Sequence, residues 1–496
     1  MMCPFGKELE NIMMRLCKKM IDKYKSISVA AKASLWYTIC NVFQKGIVLL
    51  ATPIFTRLMS KEEYGLYTIY QSWYAIIIIF ATMNMFYSAY NNILTKYDKE
   101  RDIATSSMQG LASTITLVLI CTYCMWYKGF NSLLKLPTII MIAIFIQILF
   151  EPALNFWLVR QRYEYKYKGA VVVTLAISVI GTLLSVIFVI FSDEKGISRI
   201  LVFALTQAVF GLVFYFIHFI KGKKYFSKKF WGFTLGFCIP LVPHYLSFTI
   251  LNQADRIMIS DMVGKGEAAV YAVAYTIAMM VQILTQAITN SLTPYTYQSI
   301  KKQNYTGIKR TSSLLLILMA GLCMVVMLFA PEVLTIVAPD EYAPAIYIMP
   351  PVIASSFYLF LYPLFSNVEF YYEKTKFIMI ASSLAAICNL LLNYIFIPIY
   401  GYYAAGFTTL FCYMAISFGH YIFYKKILKD NSLENEELYD VKTILITSTV
   451  VFIFSIICMY LYKYIVIRYA MIVMIAITIY LFRVKIFEII KNLKEK

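Results

Sequence analysis

Charge is scarce in this chain. Only 15% of its 496 residues are Asp, Glu, Lys or Arg, while 60% are hydrophobic, too much apolar surface for ordinary soluble cores. Histidine is almost missing, at 3 residues, and no His, Asp and Cys fall together at metal-ligand spacing. There is no Gly-Lys phosphate-binding loop of the kind an ATP-driven pump needs. No connector between apolar runs exceeds about twenty residues, which excludes a soluble catalytic domain between them. The 10 cysteines are scattered without paired spacings in an external loop, so no disulfide framework is expected. Cys121 and Cys124 have CxxC spacing but no partner pair and no nearby His; they read as residues of an apolar helix.

What the chain does have is apolar runs long enough to cross a bilayer, about 20 residues each. Fourteen are expected, near 34–56, 66–90, 105–126, 138–158, 169–191, 198–220, 233–253, 268–292, 311–330, 345–366, 376–397, 403–424, 441–462 and 464–482. The fold class is all-α and polytopic. A net charge of +18 would suit a nucleic-acid partner, but its distribution excludes one. With the amino terminus in the cytoplasm, cytoplasmic segments hold 34 of the 45 Lys and Arg, external loops hold 10, and Lys45 lies within a span. That bias places both termini in the cytoplasm. Residues 1–32 carry Leu9, Ile12, Met13, Leu16 and Met20 at helical spacing among basic residues, which fits an arm lying on the inner membrane surface or a frayed basic tail.

Two stretches share one pattern. TPIFTRLMSKEEYGLY at 52–67 orders Arg57, Met59, Ser60, Gly65, Leu66 and Tyr67, and 240–275 repeats this as Arg256, Met258, Ser260, Ala269, Val270 and Tyr271. A fainter echo links Pro152–Lys166 with Pro363–Lys376. Matching halves suggest a transporter whose repeats rock about a site between them.

The polar groups inside the spans are the site candidates. Thr38, Asn41, Lys45 and Thr52 share a face of the first span. A charge halfway along such a helix is costly, so Lys45 either pairs with an acid or lines a polar path. Asn84, Ser88 and Asn91 continue a polar stripe in the second span, matched by Gln282, Gln286, Thr289 and Thr293 in the eighth; stripes of this kind also serve as interhelical hydrogen bonds. In the fourth span Gln147, Glu151 and Asn155 are spaced by four beside Pro152, and Glu151 is either a proton or sodium site or one half of an ion pair. The seventh span holds Pro240 and Pro243, which predict a break, then His244, Asp255 and Arg256. Tyr358 and Tyr362 in the tenth span lie deep enough to meet a ligand, although tyrosine in spans more often marks the interface.

From Ser34 to Tyr424, TPIFTRLMSKEEYGLY and PLVPHYLSFTILNQADRIMISDMVGKGEAAVYAVAY resemble the polysaccharide or O-antigen flippases of the multidrug/oligosaccharidyl-lipid/polysaccharide (MOP) exporter superfamily. The resemblance implies two six-helix lobes facing each other in a V, residues 33–220 and 221–424, then a cytoplasmic linker at 425–442 and two appended helices with a basic tail at 443–496. It implies a non-enzymatic transporter in the bacterial inner membrane. The cargo implied is an undecaprenyl-pyrophosphate-linked oligosaccharide, with a polysaccharide polymerase and chain-length machinery as partners. Lys45, Arg57 and Arg256 would face the pyrophosphate, with Asn41, Asn84, Gln282, Gln286 and His244 around the cavity. Glu151 and Asp255 would couple H+ or Na+, with no other cofactor. A multidrug and cation antiporter would show an acid in place of Lys45. A lipid II flippase shares the span count and the anionic cargo, and an enzyme of polysaccharide assembly would need the large external loop this chain lacks.

Overall fold

The computed structural model describes residues 28–431, 433 and 436–481; most of the amino-terminal arm and of the basic tail lies outside them. All fourteen expected spans occur as helices, and the described residues contain no strand. We number them α1 Val29–Leu58, α2 Lys61–Thr82, α3 Arg101–Met125, α4 Thr138–Tyr163, α5 Tyr167–Phe191, α6 Lys195–Gly222, α7 Val242–Met262, α8 Lys265–Lys301, α9 Tyr305–Leu328, α10 Met349–Tyr371, α11 Thr375–Tyr400, α12 Tyr403–Asp430, α13 Val441–Leu461 and α14 Ile465–Leu481. Twelve of the described helical segments are both long and apolar enough to cross a membrane. The two outside that count are α12, with Thr408, Thr409, Ser417 and His420 in its interior, and α14, described over 17 residues.

Three boundaries depart from the expectation. The second span does not continue to residue 90: α2 stops at Thr82, Met83 and Asn84 take left-handed φ of 49° and 48°, and a separate helix runs Ala89–Lys96. Asn84 therefore sits in a break rather than on a stripe. The proline-rich seventh span does break, into Lys228–Cys238, a tight turn Ile239–Leu241, and α7. Its first piece packs on the amino-terminal half, where Trp231 Nε1 donates to Ser107 O at 2.8 Å and Lys229 pairs with Glu100 at 2.8 Å. Lys228–Cys238 thus precedes the proline turn while packing beside α3. Finally, α12 runs to Asp430, well into the expected 425–442 linker. The segment between α12 and α13 is tied down by Tyr439 Oη to Leu364 O, 2.6 Å, and by Lys309 to Glu437, 2.5 Å. That ammonium holds the Glu437 carboxyl below its ordinary range.

Within the first half, α6 is the hub, packing on α3, α4 and α5, while α1 packs on α5. In the second, α10 packs on α8 and α12, and α11 on α7 and α12. α13 and α14 lean on α9, and α14 is stapled by Arg468, which reaches both Glu332 oxygens at 2.8 Å and Leu328 O at 2.7 Å. The α4–α6 contact is close because α6 presents Gly211: a Cβ there would lie 2.4 Å from Phe150 O, next to Glu151. Overpacking of this kind costs about 1–3 kcal/mol, so Gly211→Val is expected to lower the unfolding temperature of the purified protein; an unchanged melt would contradict the close approach.

The halves meet where the two sequence repeats turn. Ser60 caps α2, accepting from Glu63 N at 3.2 Å while Glu63 Oε2 accepts from Ser60 N at 2.9 Å, the reciprocal pairing of a capping box. Four residues into α2, Gly65 lies so near α8 that an added Cβ would be 1.9 Å from Lys265 O. We call this the Gly65 end.

Candidate functional site

A cavity of about 450 Å³ opens between the halves, walled mainly by α1, α2, α5 and α6 and closed on the far side by α7 and α8. Its framework is one face of α2. Tyr64, Tyr67, Tyr70, Gln71 and Tyr74 recur every three or four residues and so stack along one side of the helix. Gln71 Nε2 donates to Tyr67 Oη at 2.8 Å. Tyr70 Oη donates to Gln147 Oε1, and Gln147 Nε2 to Glu151 Oε2 at 2.7 Å. Tyr74 Oη donates to the same Glu151 oxygen at 2.5 Å. The lone acid of the fourth span is thus held by uncharged donors, Tyr74, Gln147 and Asn155, not by an ion pair. Gln44, Gln207, Gln253, Thr52 and Ser178 complete a wall of amides and hydroxyls.

Two cations share this cavity. Arg256 on α7 donates from Nη1 to Gln253 Oε1 at 2.7 Å and lies 4.6 Å from the Tyr275 ring. Gln253 Oε1 also accepts from Ser72 of α2 at 3.1 Å, joining the halves. Arg199 on α6 is buried between Phe55 and Tyr67. With Glu151 as the one acid in the lining, the two arginines give a positive interior.

Of the residues singled out from the sequence, Thr52, Gln147, Glu151 and Arg256 line this cavity, while Lys45, Arg57, Asn41, Asn84, Gln282, Gln286, His244 and Asp255 are not in its lining. Arg57 is spent elsewhere: its guanidinium donates to Pro53 O at 3.0 Å and to Ile336 O and Thr335 O at 3.2 Å, while Thr56 Oγ1 donates to Val337 O at 2.9 Å. Together they cap the open carbonyls of the helix Ala330–Val337, the end where positive charge is favourable. Lys45 is exposed, next in sequence to the cavity residue Gln44. One turn back on its face, Asn41 lines a second cavity of about 310 Å³ with Arg162 and Asn290. Gln286 donates to Asn290 at 2.9 Å, and Gln282 lies beside the Tyr275 hydroxyl. His244 contacts Ser382 at 3.0 Å, holding α7 to α11. Tyr358 and Tyr362 are engaged within the second half, by Ser448 O at 2.9 Å and by the stacked His420 ring.

Asp255 is buried at 2% exposure in a polar knot of its own. Its oxygens accept from Tyr271 at 2.5 Å and from Thr409 and Asn393 at 2.6 Å each, while Thr408 donates to Asn393 Oδ1 and Asn389 stands behind both. This set of carboxylate, amide and hydroxyl oxygens suits a proton or a hard monovalent cation. The partners do not announce themselves in the sequence, because Asn389, Asn393, Thr408 and Thr409 belong to two other spans. Arg199 is hidden there for a different reason: it stands at a span edge, where a cation reads as a loop charge.

The model of the family described as polysaccharide biosynthesis protein matches residues 30–300. The chain belongs to that family. The MatE family model matches residues 240–395 of the chain. A protein of the Lsg locus of Haemophilus influenzae is 24% identical over 367 residues, covering 72% of this chain and 88% of its own length. Among solved structures, the lipid II flippase MurJ in an inward closed conformation is similar with TM-score 0.64 at 16% identity, over 91% of this chain and 99% of that one. An inward-facing multidrug resistance MATE transporter of the MOP superfamily is similar with TM-score 0.59 at 14% identity, over 79% and 96%. At such identities the structural likeness concerns the fold. Family and apolar helices together make the chain a multi-pass membrane protein of the polysaccharide biosynthesis family, with a fold similar to that of these two solved structures.

Proposed function

We propose that the chain is a flippase, carrying undecaprenyl-pyrophosphate-linked oligosaccharide repeat units across a bacterial inner membrane by alternating access, for assembly of a surface polysaccharide. The observation that carries this reading is the lining of the cavity. Amides and hydroxyls match the hydroxyl groups of sugars, tyrosine rings offer apolar faces, and Arg199 and Arg256 compensate an anionic headgroup leaving water. An organic cation, the cargo of a drug antiporter, would meet two positive charges there. The lipid tail would stay in the bilayer, and polymerase and chain-length proteins would act on the delivered units.

In this reading the Lys and Arg bias puts the Gly65 end outside, so the arrangement is closed outward. Rocking of the halves then exposes the cavity alternately, and H+ or Na+ at Glu151 or Asp255 resets it. Lys45 and Asn41 lie along the approach from the cytoplasmic side. The test is deletion of the gene in its host, complemented with wild type or Arg256→Ala. The expected result is loss of surface polymer with repeat units trapped in the inner leaflet, rescued by wild type alone. Normal polymer with altered drug tolerance would refute the reading, and repeat units reaching the outer leaflet unpolymerised would point to an enzyme.

A further inference from the structure

A further hollow lies at the Gly65 end, apart from the central cavity. It has a volume of about 390 Å³ and is formed by the helix Ala330–Val337, the tight helix Asp340–Tyr347 and the first residue of α12, Tyr403. Pro339 and Pro344 stiffen its wall. Two tyrosine rings stand in it already positioned. Tyr403 stacks on Tyr402 at 4.3 Å and accepts from its hydroxyl at 3.0 Å. Tyr347, 42% exposed, lies 6.4 Å from the Tyr462 ring, which is itself tied by its hydroxyl to Met327 O at 3.0 Å.

Beside the rings stand two side chains that can accept hydrogen bonds. Asp340 is exposed and, among the described residues, forms no ion pair. Thr335 gives its hydroxyl proton to Glu332 O at 2.8 Å, which leaves its oxygen to accept. Among the described residues the lining contains no Lys or Arg. This combination selects its occupant. A lipid chain would cover the carboxylate without giving it a partner, and an anion would meet a like charge. A neutral sugar ring meets both demands: its C–H face packs on a tyrosine ring, and its hydroxyls donate to the carboxylate and to the threonine oxygen.

We infer that this groove is a carbohydrate-binding subsite on the outer face, receiving one uncharged pyranose ring of the headgroup after its delivery. The inference rests on the flippase reading for the source of the sugar and for the outward placement of the Gly65 end. The subsite lies outside the translocation cavity and takes a part of the cargo that carries no charge. One wall of the groove belongs to the segment whose carbonyls are held from α1, by Arg57 on Thr335 O and Ile336 O and by Thr56 on Val337 O. A headgroup resting there stands beside the closed seam between the halves, off the path by which it left.

The experiment is saturation-transfer NMR on the purified full-length chain in lipid–detergent micelles, with methyl glucoside, methyl N-acetylglucosaminide and methyl glucuronide as probes. At least one of the two neutral glycosides should bind the wild type, and equally Tyr347→Phe, which keeps the ring. Its affinity should fall about tenfold or more in Tyr347→Ala and in Asp340→Ala. Both side chains are exposed, so thermal unfolding without ligand should match wild type and separates a lost contact from a lost fold. Lipid-linked repeat units extracted from the host should displace the bound glycoside, and the glucuronide should not. Equal affinity in wild type, Tyr347→Ala and Asp340→Ala overturns the subsite, as does a wild type that binds neither neutral glycoside. Displacement by the glucuronide contradicts the role of Asp340, and displacement by finished surface polymer but not by lipid-linked units overturns the delivered headgroup as occupant. The deletion strain decides the flippase reading separately from all of these.

Discussion

Gly65→Leu is expected to abolish transport while leaving the protein folded and in the membrane. A Cβ at this position would sit 1.9 Å from Lys265 O, a backbone atom that cannot swing aside. The contact joins α2 to α8, and around it the halves are held by Thr56 and Arg57 on the carbonyls of residues 335–337, by Ser72 on Gln253, and by the Lys135–Asp261 ion pair. Forcing the helices apart costs about 1–3 kcal/mol, which would depopulate the closed arrangement about five- to a hundredfold. A carrier that cannot close at one end cannot alternate. Gly65→Ala, with the smaller intrusion, should lose less. The check is polymer export in cells against protein level in membranes; wild-type export by Gly65→Leu would show that this contact is not part of a gate.

Glu151→Gln should preserve binding and remove the response to an ion gradient. Glutamine keeps an oxygen for the Tyr74 and Gln147 donors that now hold the acid at 2.5 and 2.7 Å, so the tyrosine face of α2 stays in place. What disappears is the ability to gain and lose a charge inside the cavity. Moving one elementary charge through ~100 mV contributes ~2.3 kcal/mol, a bias of about fiftyfold. In vesicles carrying an imposed proton or sodium gradient, the variant's transport should match that of wild type with the gradient collapsed. A gradient response retained in Glu151→Gln would move the coupling to Asp255, whose buried knot on α7, α8, α11 and α12 is the other acid available.

The membrane fold was legible because each span is an uninterrupted apolar run, and the lipid environment leaves such a run little choice but a helix. The break after Thr82 was not, since Met83 and Asn84 carry no glycine or proline to announce their left-handed backbone. Glu151 stood out as a lone acid in an apolar helix, and it does line the cavity. Arg57 and Arg256 looked equivalent in the repeated motif, yet Arg57 occupies the last turn of α1 and Arg256 lies nearly two turns before the end of α7. The same motif therefore aims one at a helix end and the other at the cavity. The tyrosines of α2 were visible as a periodic row, but tyrosine in a span is as much at home at the interface; only the packing of α4 and α6 against them shows that they face inward.

If this chain moves a sugar headgroup from one leaflet to the other through the cavity on α2, purified protein alone should do so in a synthetic membrane. The most direct measurement reconstitutes it into vesicles with lipid-linked repeat units extracted from the deletion strain, and reads the sugar exposed outside with an impermeant sugar-oxidising reagent. The protected inner-leaflet pool is expected to become fully accessible with wild type and to stay protected with Gly65→Leu. A pool that remains protected with folded wild-type protein under every imposed gradient would contradict the transport claim.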